Sequence, residues 1–301
     1  MEKAYWLYAI SPLHVGAGRG VGYIDLPVVR EKTTNWPYIP GSAVKGVIAD
    51  HFGATEKSRR ENFELAAAFG LSSGENDTEA GAASGSLVFS DASVVCLPIR
   101  SFYGTFAWIT SPMALKRLRA PHKPKDISAS PANDEVFTLA GNAITSKEGA
   151  DAKVYFEDID LAAKDDAALQ KWGSFLAGEA FAGDEGWQKI FKERFAVVND
   201  DLFTFFCETG TEVNARIRIE DNTKTVAEGA LWYEEYLPVE TILAGVIWCD
   251  KVYGGSEDKP TAEQLMEKFC DSKKPLDLQI GGKATTGKGR VRCMFSEEAK
   301  Q

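Results

Sequence analysis

Apolar and polar positions alternate along several short segments of the chain, as they do in β-strands whose two faces meet different surroundings. The alternation is clearest at residues 4–10, 213–219 and 227–236. Residues 220–225, between the last two segments, are all polar, so these two segments are expected to form a β-hairpin. Residues 241–249 are mostly apolar and predict a buried strand.

Apolar residues with helical spacing predict five helices, over residues 43–52, 166–181, 187–195, 200–209 and 261–270. Ser42 is expected to be the N-cap of the first, and Ser111 the N-cap of a short basic helix that ends near Leu118. The small, polar residues 72–85 predict a flexible loop. Strands and helices alternate without a regular β-α-β order, so we expect the α+β class.

The charge of the chain is unevenly distributed. A net charge of −10 counts against a free-standing nucleic-acid-binding protein, which is usually basic. However, residues 113–125 contain five Lys or Arg and no acid, and residues 283–292 contain four and no acid. Such strips fit a subunit that contacts RNA on one face and protein neighbours on others, although solvated surface explains either strip taken alone.

Two classes of protein are disfavoured by the composition. No apolar stretch approaches the roughly 20 residues of a membrane helix, and the N-terminal segment does not resemble a signal peptide. We therefore expect a cytoplasmic protein with no membrane partner. The five cysteines are scattered, without zinc-ligand spacing, and are expected to be reduced thiols in or near the core.

A glycine-rich segment, HVGAGRGVGYID, runs from His14 to Asp25. A carboxylate at the end of such a loop can bind magnesium through oxygen or orient a ribose 2′-hydroxyl. An aspartate in a loop is, however, more often a turn or cap residue. His14 has a side chain suited to acid–base chemistry at neutral pH, but most histidines have none to perform.

Two further positions carry candidate chemistry. Glu234 and Tyr236 are two residues apart in a predicted strand and therefore share a face, where they join a site or form a solvated strand end. Lys45 lies one turn into the helix that follows Gly41 and Ser42. A lysine there reinforces phosphate binding at the helix N-terminus, or is a plain surface residue.

The C-terminal loop, GGKATTGKGR, has the GxxxxGK spacing of a nucleotide-binding P-loop from Gly282 to Lys288. The next residue, Gly289, replaces the Ser or Thr that holds magnesium, and an alternating strand follows where a P-loop needs a helix. A nucleoside triphosphatase is therefore disfavoured. Backbone N–H groups and two lysines instead suit a sugar–phosphate backbone, or form a simple glycine-rich turn.

Four segments together resemble one family: LHVGAGRGVGYIDLPVVRE, WPYIPGSAVKGVIADHF, ARIRIEDNTKTVAEGALWYEEYLP and LQIGGKATTGKGRVR. The chain resembles the RAMP superfamily, in particular the repeated backbone subunit of the type III-B CRISPR effector (Cmr) complex. The resemblance extends from the first strand to the last. It is weak at about 100–210, which we expect to be an inserted, partly helical region within a single RAMP domain, residues 1–301.

The resemblance implies a ferredoxin-like (RRM-like) palm with a protruding β-hairpin thumb. The thumb is expected at 213–236 or within 100–150. Copies of the subunit, with other Cmr subunits, would stack along a CRISPR guide RNA and cleave complementary target RNA at regular intervals. The reaction would be that of a metal-dependent endoribonuclease active within the complex, with Mg²⁺ as the expected ion.

The resemblance also implies roles for individual residues. Asp25 falls on the catalytic aspartate and is the expected metal ligand. His14, Glu234 and Tyr236 fall on supporting positions of the catalytic site. The expected guide-RNA contacts lie at the start of the first helix and in the C-terminal loop, at Lys45, Gly41, Ser42, Gly281, Gly282, Lys283, Gly287, Lys288, Gly289 and Arg290.

Three other functions are compatible with these residues. The first is a guide-binding subunit that is purely structural, in which Asp25 performs no chemistry. The second is a RAMP nuclease that processes precursor guide RNA alone. The third is the equivalent backbone subunit of the type III-A Csm complex, although the HVGAGRGVGYID loop favours the Cmr complex.

Overall fold

The computed structural model of the chain describes residues 1–18, 20, 22–71, 83–126, 130–146, 152–253 and 259–297. Most of the predicted loop 72–85, namely residues 72–82, lies outside them. The strands within the described residues are β1 (Glu2–Ala9), β2 (Tyr38–Ile39), β3 (Gly70–Leu71), β4 (Ala83–Ser84), β5 (Val88–Phe89), β6 (Ala92–Arg100), β7 (Phe106–Thr110), β8 (Glu135–Thr138), β9 (Lys153–Phe156), β10 (Ile159–Asp165), β11 (Phe195–Val197), β12 (Glu212–Ile219), β13 (Val226–Tyr236), β14 (Ile242–Trp248), β15 (Leu276–Gln279) and β16 (Arg290–Phe295).

Helices account for much of the remaining described chain. They are α1 (Gly41–His51), α2 (Glu56–Glu61), α3 (Phe63–Phe69), α4 (Pro112–Arg117), α5 (Ala168–Ala180), α6 (Glu185–Arg194), α7 (Asp200–Thr209) and α8 (Ala262–Phe269). A short 3₁₀ turn, Ala284–Thr286, lies in the C-terminal loop. No described helix has the length and apolar character needed to cross a membrane.

One large mixed sheet organises the molecule, which confirms the α+β class. Its strand order is β15-β16-β1-β14-β6-β7-β11-β8-β10-β9, with β2 and β5 added beside β6 and β14. Most neighbours are antiparallel, but β7–β11 and β8–β10 are parallel. The β12–β13 hairpin forms a separate two-stranded sheet, as the alternating pattern predicted.

Strand β1 lies at the centre of the core because both of its faces are apolar. Tyr5 and Leu7 pack into the cluster that contains residues of α1, α3 and α8, whereas Trp6 and Tyr8 pack into the cluster that contains residues of α4, α5 and α6. Burial of apolar side chains on both faces is what ties a sheet strand to two layers. All five cysteines are free and buried, as expected from their scattered positions.

The N-terminus of α1 differs from the sequence prediction. The helix begins at Gly41, and its N-cap is Pro40, which has no capping side chain, so the prediction of Ser42 as N-cap was wrong. The side chain of Asp91 instead accepts the Gly41 backbone N–H at 2.8 Å. Gly41 is needed there because a Cβ would lie 2.3 Å from the carbonyl oxygen of Phe89.

The segment 100–210 extends the main sheet beyond β6 and covers it with helices. The predicted helices at 166–181, 187–195 and 200–209 correspond to α5, α6 and α7, and Ser111 caps α4 by accepting the N–H of Ala114. Strands β8, β9 and β10 were not predicted. They are short: β9 and β10 pair with each other as a hairpin, and β8 pairs with β10 and β11.

Candidate functional site

The last residues of β13 present different side chains on the two faces of the strand. Trp232, Glu234 and Tyr236 lie on one face, and Tyr233 and Glu235 on the other, because strand side chains alternate. Both glutamates are buried. The predicted shared face of Glu234 and Tyr236 is therefore confirmed, but the two form a buried cluster and not a solvated strand end.

Glu234 is the centre of a charged cluster. One carboxylate oxygen accepts hydrogen bonds from Lys283 Nζ at 2.5 Å and from Trp232 Nε1 at 2.7 Å. The other accepts from Arg216 Nε at 3.2 Å and from the Tyr236 hydroxyl. Burial alone would raise the pKa of Glu234, but these hydrogen bonds and the charge of Lys283 outweigh it and lower the pKa to about 2. Glu234 is thus a fixed anion that orients two cations.

Tyr236 links this cluster to a second lysine and to His14. Lys288 Nζ lies 4.8 Å from the centre of the Tyr236 ring, within cation–π range. The His14 ring lies 5.6 Å from the same ring, and its Nδ1 is 2.8 Å from the Glu235 carbonyl oxygen. Because a carbonyl only accepts, Nδ1 is the donor in this contact.

The C-terminal loop is held against the first loop of the chain. The Gly282 N–H donates to the His14 carbonyl at 2.9 Å, and the Gly289 N–H donates to the Pro12 carbonyl at 2.9 Å. Gly281 has a φ of +78°, and a Cβ there would lie 2.2 Å from the His14 carbonyl oxygen. The close contact between the two loops, which glycine alone permits, brings Lys283 and Lys288 to β13.

Asp25 lies beside this cluster on the exposed side. Its Oδ2 accepts the backbone N–H of Tyr233 at 2.8 Å, and the next residue, Leu26, forms a parallel bridge with Glu234. The Asp25 side chain is exposed. Sequence reasoning placed Asp25 and His14 in one loop. The structure brings both to the end of β13, on which Glu234 and Tyr236 lie.

Glu235 forms a clasp that the sequence reasoning missed. Its carboxylate accepts the Val28 N–H at 2.9 Å, the Thr211 hydroxyl at 2.9 Å and Arg30 Nη2 at 2.5 Å. The same Arg30 guanidinium donates through Nη1 to the Cys207 carbonyl at 2.8 Å. The clasp therefore fixes the segment after Asp25 against the base of the hairpin and the last turn of α7.

The residues predicted at α1 form a second location. Lys45 is half-buried, and burial together with the nearby charge of Arg59 lowers its pKa. Ser42 is exposed in the first turn, and the Gly41 N–H is already bound by Asp91. These three residues share a helix start, with Lys45 beside Arg59 and not beside Glu234.

Two other predicted guide-RNA contacts belong to the C-terminal loop. Arg290 is exposed at the first residue of β16, where its N–H donates to the Ser11 hydroxyl at 2.9 Å. Gly287 has a φ of +78° and closes the 3₁₀ turn. The strand that follows confirms that this loop lacks the helix of a P-loop.

Metal ligands are sparse at this site. Within the described ranges there is no group of three or more His, Cys, Asp or Glu that could hold an ion. The oxygens of Glu234 are taken by its own hydrogen bonds, so Asp25 is the exposed carboxylate that the site offers. One carboxylate is compatible with hydrated Mg²⁺ when substrate phosphates supply other ligands.

Arg216 is a site residue that sequence reasoning missed. It lies opposite Trp232 in the β12–β13 register, and so on the same face as Glu234. The register shifts between Ile217 and Ile219, so regular pairing counted back from the turn would have placed Arg216 opposite Gly229, on the other face. The Lys283–Glu234 and Arg30–Glu235 pairs have no local signal, because the partners lie 49 and 205 residues apart.

Comparison with known proteins gives consistent results. The model of the RAMP superfamily matches residues 6–292. The CRISPR system Cmr endoribonuclease Cmr4 of Pyrococcus furiosus is 34% identical over 302 residues, which cover 98% of this chain and 96% of that protein. The crystal structure of oligomeric Cmr4 from the same organism has a TM-score of 0.70 at 26% identity and 98% coverage of both chains. A chain from the cryo-EM structure of the type III-B Cmr-beta bound to cognate target RNA has a TM-score of 0.65 at 19% identity, covering 98% of this chain and 97% of that one, which shows a shared fold.

Proposed function

The chain belongs to the RAMP superfamily and, within it, to the Cmr4 family, and on this premise we propose that it is a guide-RNA-binding backbone subunit of a type III-B CRISPR effector complex that cleaves complementary target RNA. The 34%-identical relative is named an endoribonuclease. The observation that carries the proposal is that Asp25 binds the backbone of Tyr233, the residue next to Glu234, which in turn orients Lys283 and Arg216.

The proposed architecture is a ferredoxin-like palm with the β12–β13 hairpin as its thumb. Four antiparallel strands in the order β16-β1-β14-β6, with α1 following β1 and α8 following β14, support the palm. The hairpin carries exposed apolar residues, among them Ile217 and Leu231, which supports a role in contacting a partner. We propose that residues 1–301 form one domain, in which residues 100–210 are the inserted region.

The guide RNA is proposed to run from α1 to the C-terminal loop. Lys45 is half-buried beside Arg59, a setting in which a phosphate would relieve the repulsion between the two cations. Positive φ at Gly281, Gly287 and Gly289 gives the loop the shape that lets a sugar–phosphate backbone approach closely. Copies of the chain and other Cmr subunits would share the RNA, as the oligomeric relative suggests.

The cleavage step follows from the positions of these side chains. A target nucleotide held in an extended conformation aligns its 2′-oxygen with the adjacent phosphorus, which is a positioning effect. The exposed Asp25 would accept the 2′-hydroxyl proton as the 2′-oxygen attacks. The P–O5′ bond breaks, the 5′-oxygen takes up a proton, and the products are a 2′,3′-cyclic phosphate and a 5′-hydroxyl.

The cations around Glu234 would stabilise the charge that develops on the phosphate. Lys283 and Arg216 are held by one carboxylate, and Lys288 lies over Tyr236, so little reorganisation is needed at the moment of reaction. With a pKa of about 2, Glu234 is not a proton acceptor at neutral pH, and we assign it to positioning. We assign His14, whose ring is buried beside that of Tyr236, to a supporting position of the site.

A divalent ion, Mg²⁺ for example, is part of the proposal. Asp25 would hold it together with phosphate oxygens of the RNA, as the alternative to accepting the 2′-hydroxyl proton. When bound, such an ion would lower the charge repulsion between the phosphate and the attacking oxygen.

A structural role for Asp25 is the second candidate, because its Oδ2 already accepts the Tyr233 N–H. In that case the chain binds RNA and another subunit cleaves it. Aspartate and asparagine both offer an oxygen to this N–H, but only aspartate accepts a proton at neutral pH. The pair of variants Asp25→Asn and Asp25→Ala therefore separates the two functions.

The test is target-RNA cleavage by the reconstituted complex in Mg²⁺ and in EDTA, with Asp158→Asn, an exposed aspartate elsewhere, as the control. If Asp25 is catalytic, both Asp25 variants assemble and bind target but cleave about 100- to 10,000-fold more slowly. A 2′-deoxy nucleotide at the cut site also stops cleavage. If the complex with Asp25→Asn cleaves target RNA like the wild type, the role of Asp25 is structural only.

A further inference from the structure

The basic strip at 113–125 forms one side of a cavity. Four of its cations, Lys116, Arg117, Arg119 and Lys123, line a cavity of about 600 Å³ that is also lined by Asp91 and by residues of β6 and β14. The volume lies in the range typical of small-molecule sites and is sufficient for a nucleotide. None of the roles assigned above uses this strip.

Two of the four cations are already engaged. Arg117 is paired with Glu31 at 2.7 Å, and its guanidinium lies 5.4 Å from the centre of the Trp36 ring. The Lys123 ammonium donates to backbone carbonyls at the end of α4, including that of Lys116 at 2.9 Å. These contacts hold α4 and the chain that follows it in a fixed position.

The other two cations are available to a ligand. In the part of the chain that the structure describes, the side chains of Lys116 and Arg119 are exposed and form no ion pair or hydrogen bond. They are three residues apart, at the end of a short helix whose C-terminal carbonyls Lys123 neutralises. Two exposed cations on a rigid element, in a protein of net charge −10, suit a ligand that carries several negative charges.

The cavity adjoins the start of α1. Asp91, which lines the cavity, is the residue whose carboxylate accepts the Gly41 N–H, and Ser42 is exposed in the same turn. The surface proposed above for guide RNA is therefore continuous with the cavity.

We propose that Lys116 and Arg119 bind phosphates of the guide RNA, so that the guide path extends from α1 through this cavity to α4. The inference rests on the proposed function and adds a site to it. RNA combines phosphates, which Lys116 and Arg119 can bind, with ribose 2′-hydroxyls, which can donate to a carboxylate such as that of Asp91 on the cavity wall.

Salt dependence of RNA binding provides the test, because each phosphate contact has a known effect on it. We would compare wild type, Lys116→Ala/Arg119→Ala and the control Lys171→Ala/Lys189→Ala, which removes two exposed lysines from α5 and α6. The full-length chain would bind labelled single-stranded guide RNA at several salt concentrations. Loss of two phosphate contacts lowers the slope of log K against log salt by about 1.4.

We expect this decrease in slope, and at least about tenfold weaker binding at low salt, in the Lys116/Arg119 variant and not in the control. Equal slopes for both variants overturn the inference. Lys45→Ala, measured in parallel, tests the proposed guide-binding function separately from the proposed site at α4. If Lys45→Ala weakens binding and the α4 variant does not, the guide-binding function stands without this site. If the wild type binds no guide RNA, alone or in the complex, both fail.

A second measurement identifies what the cavity contacts in the assembled complex. A photo-crosslinking amino acid, p-benzoylphenylalanine, replaces Arg119 in the full chain, and the complex is irradiated with its guide RNA in place. An adduct between position 119 and the guide supports the inference. An adduct with a neighbouring subunit, or no RNA adduct, overturns it and assigns this surface to protein contacts or to solvent.

Discussion

Glu234 and Glu235 are adjacent in one strand and both are buried, yet their partners differ in one important respect. The cations held by Glu234 remain accessible, because the side chains of Lys283 and Arg216 are 30% and 37% exposed. The cation held by Glu235 is enclosed, because the Arg30 side chain is 15% exposed and also bonds a carbonyl of α7. One glutamate thus presents charge to a ligand, and the other joins parts of the protein.

The difference arises from the strand itself. Alternate residues of β13 point to opposite faces, so the C-terminal loop meets Glu234 while the segment after Asp25 meets Glu235. A buried ion pair whose groups bond to other parts of the protein has a structural role. A carboxylate surrounded by accessible cations leaves those cations free to bind an anion as well.

The largest effect is expected from removing Glu235. Glu235→Ala leaves Arg30 without its carboxylate and the Val28 N–H without an acceptor, both in buried surroundings. We expect the free energy of unfolding to fall by about 3–5 kcal/mol. Denaturant unfolding followed by fluorescence measures this change. Target cleavage would also decrease, because the clasp holds the segment after Asp25.

The matched control for that variant is an exposed glutamate in an ordinary surface pair. Glu61→Ala removes the partner of Lys57 in an i,i+4 pair whose side chains are 66% and 85% exposed. Its expected cost is no more than about 0.5 kcal/mol. Equal unfolding curves for Glu235→Ala and Glu61→Ala would show that the clasp contributes nothing to stability.

The second prediction concerns Glu234 and the dependence of the unfolding free energy on pH. The pKa of Glu234 is lowered to about 2 in the folded protein, from an ordinary value near 4.5. A lowered carboxyl pKa contributes stability that is fully present above about pH 4.5 and is lost as the pH falls towards 2. In the wild type we therefore expect an acid-dependent loss of up to about 3 kcal/mol that Glu234→Gln does not show.

Unfolding free energies of the wild type and Glu234→Gln at several pH values between 2 and 7 measure this loss. Both proteins share every other titrating group, so the difference between their two curves isolates Glu234. A difference that is constant across the whole pH range would contradict the assigned pKa.

The smallest expected loss of stability comes from removing a single tyrosine hydroxyl on the face of β13 that carries Glu234. Tyr236→Phe removes the hydroxyl that bonds Glu234 and lies 3.5 Å from Arg216 Nη2, but keeps the ring under Lys288. Tyr233→Phe is the control on the opposite face, where the ring contacts Tyr23. We expect a cost of about 1 kcal/mol for the first and near zero for the second. Thermal unfolding detects the difference, and equal values would indicate that the hydroxyl is not part of the cluster.

The sequence predicted the elements whose pattern is local. The hairpin, β1, α5 to α8 and the basic α4 follow from alternation, helical spacing and capping residues that lie close together in the chain. The 261–270 helix, for instance, is α8, where Thr261 and Gln264 form a capping box. Strands β8 to β10 were missed because four to seven residues carry too little pattern without their partners.

The start of α1 illustrates why some local predictions fail. Ser42 has the side chain of an N-cap, but Pro40 takes the N-cap position and Asp91 accepts the Gly41 N–H. The chain enters the helix between the carbonyls of residues 89 and 90, which only glycine can approach so closely. An acceptor 50 residues away therefore replaced the local one.

The sequence by itself determined the α+β class, the hairpin, the family to which the chain is similar and the candidate residues at the end of β13. Each of these depends on neighbouring residues or on a motif. The tertiary structure alone decided that Glu234 binds accessible cations and Glu235 an enclosed one, and that the strip at 113–125 lines a cavity beside α1. The energy of a charge depends on its distance from other charges and on its burial, and both are set by segments that meet only when the chain folds.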